Sequence, residues 1–168
     1  MLSSQNILNN KISLNKISRY VSEAEYQIEL RRINIEIGDV LLSTVGSIGR
    51  CAVVENFNSP YTIQRSIAAI KTLIFPRYLM YVIQSPNLQK QIIDEAWGVA
   101  VKGLYLGRIN NLIIPLPPLS EQKRIVAEIE RQLDKTKQLK EHIIANQQAT
   151  EKLLKALLHQ AFEVEETN

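Results

Sequence analysis

Two kinds of hydrophobic pattern divide this chain. From about residue 120 to residue 162, apolar side chains return at alternating spacings of four and three residues, which is typical of a long helix that packs on another helix. Before residue 115, apolar positions come in short runs separated by Gly, Pro and Asn, as in short strands and helices joined by turns. The pattern predicts an α+β fold: a mixed, mainly antiparallel head followed by one long coiled-coil-forming α-helix.

The hydrophobic seam of the long helix mixes apolar and polar positions. Its apolar members are Ile125, Ile129, Leu139, Ile143, Leu153 and Leu157. The intervening members are Gln132, Thr136, Asn146, Thr150 and Gln160. At 1.5 Å per residue, such a helix spans on the order of 60 Å, which a head of this size cannot cover. We therefore expect a partner helix, with the polar positions favouring a specific register over strong binding.

Three prolines stand at the junction of the two patterns. Pro115, Pro117 and Pro118 each lack a backbone N–H and fix φ near −65°, so residues 115–119 are predicted to form a stiff, polyproline-like strut. Ser120 is the expected N-cap of the long helix. The predicted organisation is a head at 1–114, the strut at 115–119, the helix at 120–162 and an acidic tail at 163–168.

Local signals predict the elements of the head. Ser22 and Glu25 have the spacing of a capping box, which predicts a helical turn as far as about Leu30. Residues 40–54 are predicted to form a hairpin, with positive φ at Gly46 and Gly49 in its turn. Strand character also marks residues 33–37 and 61–70, and residues 104–114 are predicted to form a short turn followed by a strand.

Two prolines predict helix starts later in the head. Pro76 begins one predicted helix and Pro86 begins another, which extends to about Trp97 with Leu88, Ile92, Ile93 and Ala96 on its apolar face. Trp97 and Tyr105 could stack on bases, but a reader of duplex DNA keeps the bases stacked, so Trp97 is expected to pack in the core.

Composition narrows the class of protein. The single cysteine, Cys51, excludes an intramolecular disulfide and a CxxC metal site and suits a reducing compartment. No secretory signal pattern opens the chain, and its apolar runs are far shorter than a membrane helix needs, which predicts a soluble cytoplasmic protein. Residues 1–119 carry 12 Lys and Arg against 8 Asp and Glu, a basic excess compatible with nucleic-acid binding.

Several side chains suit contacts with DNA. The run from Gly46 to Arg50 is either a backbone nest for a phosphate or an ordinary hairpin turn. Arg can bond bidentately to guanine, Lys suits phosphates, and Gln can read adenine. The alternative is that these side chains are solvated surface groups. The candidate DNA-binding residues are Ser47, Arg50, Gln64, Arg65, Lys102 and Arg108.

No motif in the chain supports catalysis. Pro117 and Pro118 lack the preceding Asn or Asp and the following aromatic residue of an adenine-methyltransferase site. No glycine-rich cofactor loop follows a strand, no paired carboxylates with a Lys suggest a nuclease, and His142 and His159 stand too far apart on one helix to share a metal. We expect neither a cofactor nor a metal site, and no enzyme activity.

The proline junction also carries a family resemblance. Residues 114–126, Ile-Pro-Leu-Pro-Pro-Leu-Ser-Glu-Gln-Lys-Arg-Ile-Val, resemble the junction in the specificity subunit of type I restriction–modification systems. Further resemblance lies in residues 38–50, 98–112 and 157–162. The resemblance implies a target recognition domain that reads half of a bipartite DNA site, joined to a spacer helix that pairs antiparallel with a second spacer. It also implies methyltransferase subunits that dock on it and a restriction subunit that joins through them.

The chain departs from that family in its extent. A specificity subunit usually carries two recognition domains and two spacers, whereas this sequence has one spacer and lacks the opening third of a head. The second spacer is then expected from another specificity half or from a second copy. The alternative is a coiled-coil scaffold, or a truncated remnant, that does not bind DNA by itself.

Overall fold

The computed structural model describes residues 1–15, 17, 19–56, 60–98 and 102–163. The chain divides into two compact units, Met1–Val126 and the residues from 127 onward. Small antiparallel sheets and short helices build the first unit, and one helix continues through the second. The predicted α+β fold class, with its long C-terminal helix, is confirmed.

The strands and helices are all short until the last one. In chain order they are β1 (Ile7–Leu8), β2 (Lys11–Ile12), α1 (Glu23–Arg32), β3 (Val40–Ser43), β4 (Cys51–Val53), β5 (Ile67–Ile70), α2 (Pro76–Gln84), α3 (Pro86–Glu95), α4 (Leu106–Ile109) and α5 (Leu119–Glu163).

Strands β1 and β2 form a hairpin with a two-residue turn. Asn9 and Asn10 both have positive φ, 49° and 65°, which a type I′ hairpin turn requires and which Asn tolerates better than most residues. Asn10 also accepts a hydrogen bond from the amide of Gln84 on α2. The tip of the hairpin is therefore held against the second helix.

The central strand β3 organises the head. It pairs antiparallel with β4 on one side and β5 on the other. Because successive side chains point to opposite faces, Leu41 enters one core cluster, with Ile7, Ile63 and Val54, while Leu42 enters the other. Both side chains are fully buried. Their strand is hydrophobic without alternation because both of its faces are covered.

Helices α2 and α3 cover the second face of the sheet. Both begin at a proline, as predicted, and Ser85 caps α3 by accepting a hydrogen bond from the Leu88 N–H at 3.4 Å. Leu88 and Ile92, four residues apart, are buried in the core beside Leu42. Ile93 is 61% exposed, so its predicted place on the apolar face is wrong.

Other expectations for the head hold in part. The capping box at Ser22 and Glu25 is present, and it starts α1. Only the end of the predicted 61–70 strand forms, as β5, and the alternating residues 33–37 form no strand. In residues 104–114 the expected short turn is present as α4, but the expected strand is absent, and residues 112–118 have no regular structure.

Helix α5 begins one residue earlier than expected. The N–H groups of Glu121 and Gln122 both donate to the Pro118 carbonyl, at 2.9 and 3.0 Å, which places Ser120 inside the first turn. Ser120 is therefore not the N-cap. Among the described helices, none is long and apolar enough to cross a membrane. The predicted acidic tail, from residue 164 onward, lies outside the described residues.

Candidate nucleic-acid interface

The turn between β3 and β4 is closed by its own backbone. Gly46 and Gly49 adopt φ of 79° and 88°, as predicted for a tight connection. The Ile48 N–H donates to the Gly46 carbonyl at 2.9 Å and the Gly49 N–H to the Ser43 carbonyl at 3.0 Å. The Arg50 N–H donates to the Ser43 hydroxyl at 2.9 Å.

These hydrogen bonds bear on whether the turn is a phosphate-binding nest or an ordinary hairpin turn. A phosphate-binding nest needs successive free N–H groups, and those of Ile48, Gly49 and Arg50 are all engaged within the turn. The geometry therefore favours an ordinary hairpin turn. The Arg50 side chain is exposed, whereas Ser47 is half-buried and its carbonyl accepts a hydrogen bond from the Ser43 hydroxyl.

A second turn lies beside the first. The Thr44 N–H donates to the Ser66 carbonyl at 2.8 Å, so the residues just before β5 meet the residues just after β3. Gln64 and Arg65 belong to this turn, which the Gln64 N–H fixes to the Leu2 carbonyl at 2.8 Å. Arg65 is exposed and Gln64 is half-buried.

A third segment reaches the same end of the sheet. Gly103 pairs antiparallel with Val45, and the Leu104 N–H donates to the Thr44 carbonyl at 2.8 Å. Gly103 also exchanges two backbone hydrogen bonds with Trp97, both 3.0 Å long. Lys102 is exposed and lies beside the same strand end as the two turns, and residues 99–101 just before it lie outside the described residues.

We call these three segments, residues 44–50, 64–66 and 102–105, together with Trp97, the loop end. Its cations are Arg50, Arg65 and Lys102, and none of its residues is Asp or Glu. In the described part of the chain, none of the three cations has a carboxylate partner within ion-pair distance. Cations left without internal partners are suited to an external anion.

Most other arginines of the head are already paired, and the predicted Arg108 is one of them. Arg108 stands on α4, 3.1 Å from the carboxylate of Glu95 on α3. Arg32 and Arg19 bond Glu29 and Glu25 in the same way. The structure thus brings Ser47, Arg50, Gln64, Arg65 and Lys102 to one end of the sheet and neutralises Arg108.

Sequence reasoning considered two aromatic side chains of the loop end for base stacking and set both aside. Trp97 is 65% exposed and Tyr105 is 56% exposed, so the expected core position of Trp97 is wrong. The physical reason is that α3 ends at Glu95, before its apolar face can carry Trp97 inward. Neither exposure has a signal in the sequence, because large aromatic residues are usually buried.

An open pocket of about 460 Å³ lies beside Arg50. Amide side chains form much of its lining, from Asn9 and Asn10 at the β1–β2 turn and from Gln84 and Gln89 on the helices. Cys51 also borders it, and burial raises the pKa of its thiol to about 11, although a 3.6 Å hydrogen bond from Gln84 acts in the opposite direction. At neutral pH this cysteine is an unreactive thiol.

The proline segment is held by three side chains within the first unit. Gln91 bonds both backbone groups of Ile113, and the Tyr78 hydroxyl donates to the Pro115 carbonyl at 3.1 Å. Gln122, only 3% exposed, donates to the Pro117 carbonyl at 2.8 Å and accepts from the Phe75 N–H at 2.9 Å. The first turn of α5 is thereby tied to the start of α2.

The predicted seam of the long helix is largely uncovered. Ile125 and Ile129 are half-buried, while every residue from 131 to 162 is exposed. Leu139, Ile143, Leu153 and Leu157 are between 53% and 63% exposed. Thr136 and Thr150 satisfy their hydroxyls within the helix, each donating to the carbonyl four residues earlier at 2.9 Å. His142 and His159 are exposed, as expected.

The chain is similar in sequence to proteins of known name. The family model of the type I restriction modification DNA specificity domain matches residues 2–147. The specificity subunit of the type I restriction enzyme EcoBI of Escherichia coli is 33% identical over 122 residues, which are 70% of this chain and 24% of that protein. The putative MjaX specificity subunit of Methanocaldococcus jannaschii is 30% identical over 132 residues, 72% of this chain and 30% of the relative.

A solved structure shares the fold. The crystal structure of the HsdS subunit from Thermoanaerobacter tengcongensis aligns with a TM-score of 0.54 and 24% identity, over 62% of this chain and 28% of that one. The chain thus spans less than a third of the length of these relatives. Because the family model matches most of its residues, this chain belongs to the type I restriction modification DNA specificity domain family.

Proposed function

We propose that this chain is a sequence-specific DNA-binding module that reads one half of a bipartite target through its loop end. We also propose that it docks methyltransferase subunits, through which a restriction subunit joins. Specificity subunits of type I systems are non-catalytic DNA-recognition proteins, in agreement with the sequence prediction that this chain is not an enzyme.

The observation that carries the proposal is the charge of the loop end. Arg50, Arg65 and Lys102 come from three segments far apart in sequence, yet backbone hydrogen bonds gather them at one end of β3. No carboxylate of the loop end neutralises them. Arg can read guanine or hold phosphate, and Lys holds phosphate. The half-buried Gln64 beside them offers an amide suited to adenine.

A salt titration with matched variants tests DNA binding. Duplex affinity of the unchanged chain is measured by fluorescence anisotropy at several salt concentrations, beside the triple variant Arg50→Ala/Arg65→Ala/Lys102→Ala. Because each phosphate contact releases counterions, the slope of log K against log salt should become shallower by about 0.9 for every cation that contacts phosphate. The control removes two exposed cations elsewhere, Arg31→Ala/Lys90→Ala, and should leave the slope unchanged. Equal slopes in triple variant and control would contradict the proposed interface.

We further propose that the long helix pairs antiparallel with the same helix of a second copy. The support is a symmetry of the seam about Glu141. An antiparallel pair centred there sets Ile125 against Leu157, Ile129 against Leu153 and Leu139 against Ile143. The polar positions also meet one another, Gln132 with Thr150 and Thr136 with Asn146.

Only one register matches along the whole seam. Sliding one helix by a heptad in either direction sets apolar positions against polar ones throughout, for example Leu139 against Thr150. Sliding by two heptads restores the match but shortens the overlap. Buried amides opposite apolar side chains are costly, so the seam favours the register centred at Glu141.

Cysteine cross-linking tests both direction and register. Gln132→Cys and Thr150→Cys chains should form a disulfide-linked pair when mixed, and neither should link to itself, because equal positions lie on the order of 27 Å apart in this register. Parallel pairing predicts the reverse: each variant links to itself and the mixture gives no cross-pair. The unchanged chain is the background control, since its Cys51 is buried.

A scaffold that pairs through the helix without binding DNA is the second candidate. The uncovered seam of the helix favours it as much as the first. The two assays separate the candidates, because a scaffold would form the cross-linked pair and show no affinity for duplex DNA even at low salt, with or without a methyltransferase subunit.

A further inference from the structure

Trp97 is a large aromatic residue that is exposed to solvent. It is the only tryptophan of the chain, and 65% of its side-chain surface is exposed. Tyr105 is 56% exposed and follows Gly103 by two residues. The Cζ atom of its ring lies 3.9 Å from the position that a Cβ on Gly103 would occupy. Exposed aromatic side chains of this size are enriched where a protein binds a partner.

The backbone that carries Trp97 is fixed to the sheet. Trp97 and Gly103 exchange two hydrogen bonds of 3.0 Å, Gly103 pairs with Val45, and Leu104 bonds Thr44 at 2.8 Å. The ring is therefore presented from a segment joined to the central strand. A side chain held in this way is already placed for binding, so little backbone entropy is lost when a partner covers it.

The surroundings of Trp97 indicate the chemistry of that partner. Lys102 and Tyr105 stand on either side of Gly103, and Arg65 and Arg50 belong to the same loop end. This combination of unpaired cations and aromatic surface, with no carboxylate among the residues of the loop end, complements a polyanion that also has apolar faces. Duplex DNA has both, since phosphates flank the sugars and the base edges, and it is the partner proposed for the loop end.

We propose that Trp97, with Tyr105 beside it, makes an apolar contact with the sugars and base edges of DNA while Lys102 holds the adjacent phosphate. The inference rests on the proposed DNA binding of the loop end. It makes Trp97 a specificity-determining residue, because contacts with base edges depend on base identity and groove shape and phosphate contacts do not.

The two kinds of contact differ in their response to salt. Removal of Lys102 should make the salt slope shallower by about 0.9. Removal of the Trp97 ring releases no counterions, so Trp97→Ala should lower affinity by about 10- to 100-fold at every salt concentration and leave the slope unchanged. Trp97→Phe keeps an aromatic face and should retain most of the affinity.

The single tryptophan is also its own probe. A duplex selected from a random pool is titrated into the full-length chain, and tryptophan emission, excited where DNA does not absorb, is followed together with anisotropy of the labelled duplex. The expected result is that emission changes along the same binding curve as anisotropy and that iodide quenches Trp97 less in the complex. Leu73→Ala is the matched control, since Leu73 is fully exposed at the opposite end of β5 and its loss should change nothing.

The outcomes separate this inference from the proposed function. Normal anisotropy binding with unchanged emission, unchanged quenching and full affinity of Trp97→Ala would overturn the inference and leave DNA binding intact. Absence of any binding by the unchanged chain would overturn the proposed function first. Shielding of Trp97 by a methyltransferase subunit in the absence of DNA would assign the surface to that protein and contradict the inference. Circular dichroism of Trp97→Ala, expected to match the unchanged chain, confirms that the variant folds.

Discussion

The head and the helix beyond residue 126 differ in how far their apolar side chains are buried. In the head, Leu41, Leu42, Ile63 and Ile92 are fully buried in cores that neighbouring segments of the same chain complete. In the helix, large apolar side chains recur at regular spacing, and those from Leu133 to Phe162 are between 43% and 68% exposed. The apolar side chains of the head are thus covered within the head, whereas the exposed apolar seam of the helix is suited to a partner helix.

The two regions also differ in how their proposed binding surfaces are built. The loop end is assembled from three segments that backbone hydrogen bonds bring together. The pairing surface of the helix is a single row of apolar and polar seam positions. Damage to the head should thus affect folding and DNA binding, while damage to the seam should affect self-association alone. Variants of the head and of the seam test whether these effects are separate.

The largest effect is expected at the centre of the seam. Leu139→Asp/Ile143→Asp places charges where two copies meet, and burying unpaired charges should weaken self-association by more than about 100-fold. The matched control, Gln138→Asp/Gln148→Asp, adds the same charge outside the seam and should associate normally. Sedimentation equilibrium measures both. Unchanged association of the seam variant would show that the helix pairs through another face.

A core substitution should act on the head alone. Leu41→Ala removes a fully buried side chain from the central strand and should lower the free energy of unfolding of the head by about 2–5 kcal/mol. Urea denaturation followed by Cys51 labelling reports this unfolding, because the thiol is buried and resists alkylation in the folded head. Leu139→Ala is the control and should leave the labelling midpoint where it is. Equal shifts of both midpoints would contradict the separation of the two regions.

A smaller effect is expected at the proline junction. Gln122→Ala leaves the half-buried Phe75 N–H and Pro117 carbonyl without their hydrogen bonds, which should destabilise the head by about 1–3 kcal/mol. Gln138→Ala, on the exposed helix, serves as the matched control with no expected cost. The same urea titration measures both variants. A neutral Gln122→Ala would mean that water replaces the amide at this position.

The smallest effects are those of pH, and they differ in sign between the two regions. In the head, burial raises the pKa of Cys51 from 9.0 to about 11, so its contribution to stability is complete below pH 9 and is lost as the pH rises towards 11. In the helix, hydrogen bonds from Arg131 and Gln132 lower the pKa of Glu128 from 4.5 to about 2, so its contribution is present above pH 4.5 and is lost as the pH falls towards 2.

Variants isolate these two groups. Cys51→Ser should flatten the alkaline part of the stability profile of the head, and Glu128→Gln should flatten the acid part of the helicity profile of α5. The Glu128 effect should be slight, since its ion pair with Arg131 is half exposed. Circular dichroism and urea titration across pH provide the profiles. An acid-sensitive head with an alkali-sensitive helix would be the reverse of what these pKa shifts imply.

The sequence alone predicted what depends on local pattern. The capping box of α1, the prolines that begin α2 and α3, the glycines of the β3–β4 turn and the period of α5 are each written in a few neighbouring residues, and each is present. The strand expected after the turn in residues 104–114 is absent, because Tyr78 and Gln91 on the helices bond the backbone of Pro115 and Ile113 in place of a partner strand.

The interface depended on contacts that no local pattern carries. Arg50, Arg65, Lys102 and Arg108 were all candidates in the sequence, and only the fold shows that Glu95 pairs with Arg108. The exposure of Trp97 is equally invisible, because it depends on where α3 stops and on the pairing of Trp97 with Gly103. An interface built from distant segments can therefore be recognised only once the fold is known.

Selection of bound DNA from a random pool tests the central claim most directly, because it reports the reading head and the paired helix together. If identical heads are related by the two-fold axis of an antiparallel pair, the enriched sequences should contain two inverted copies of one half-site separated by a constant gap. Enrichment of a single asymmetric site would contradict self-pairing, and a pool with no enrichment would contradict sequence-specific binding by the loop end.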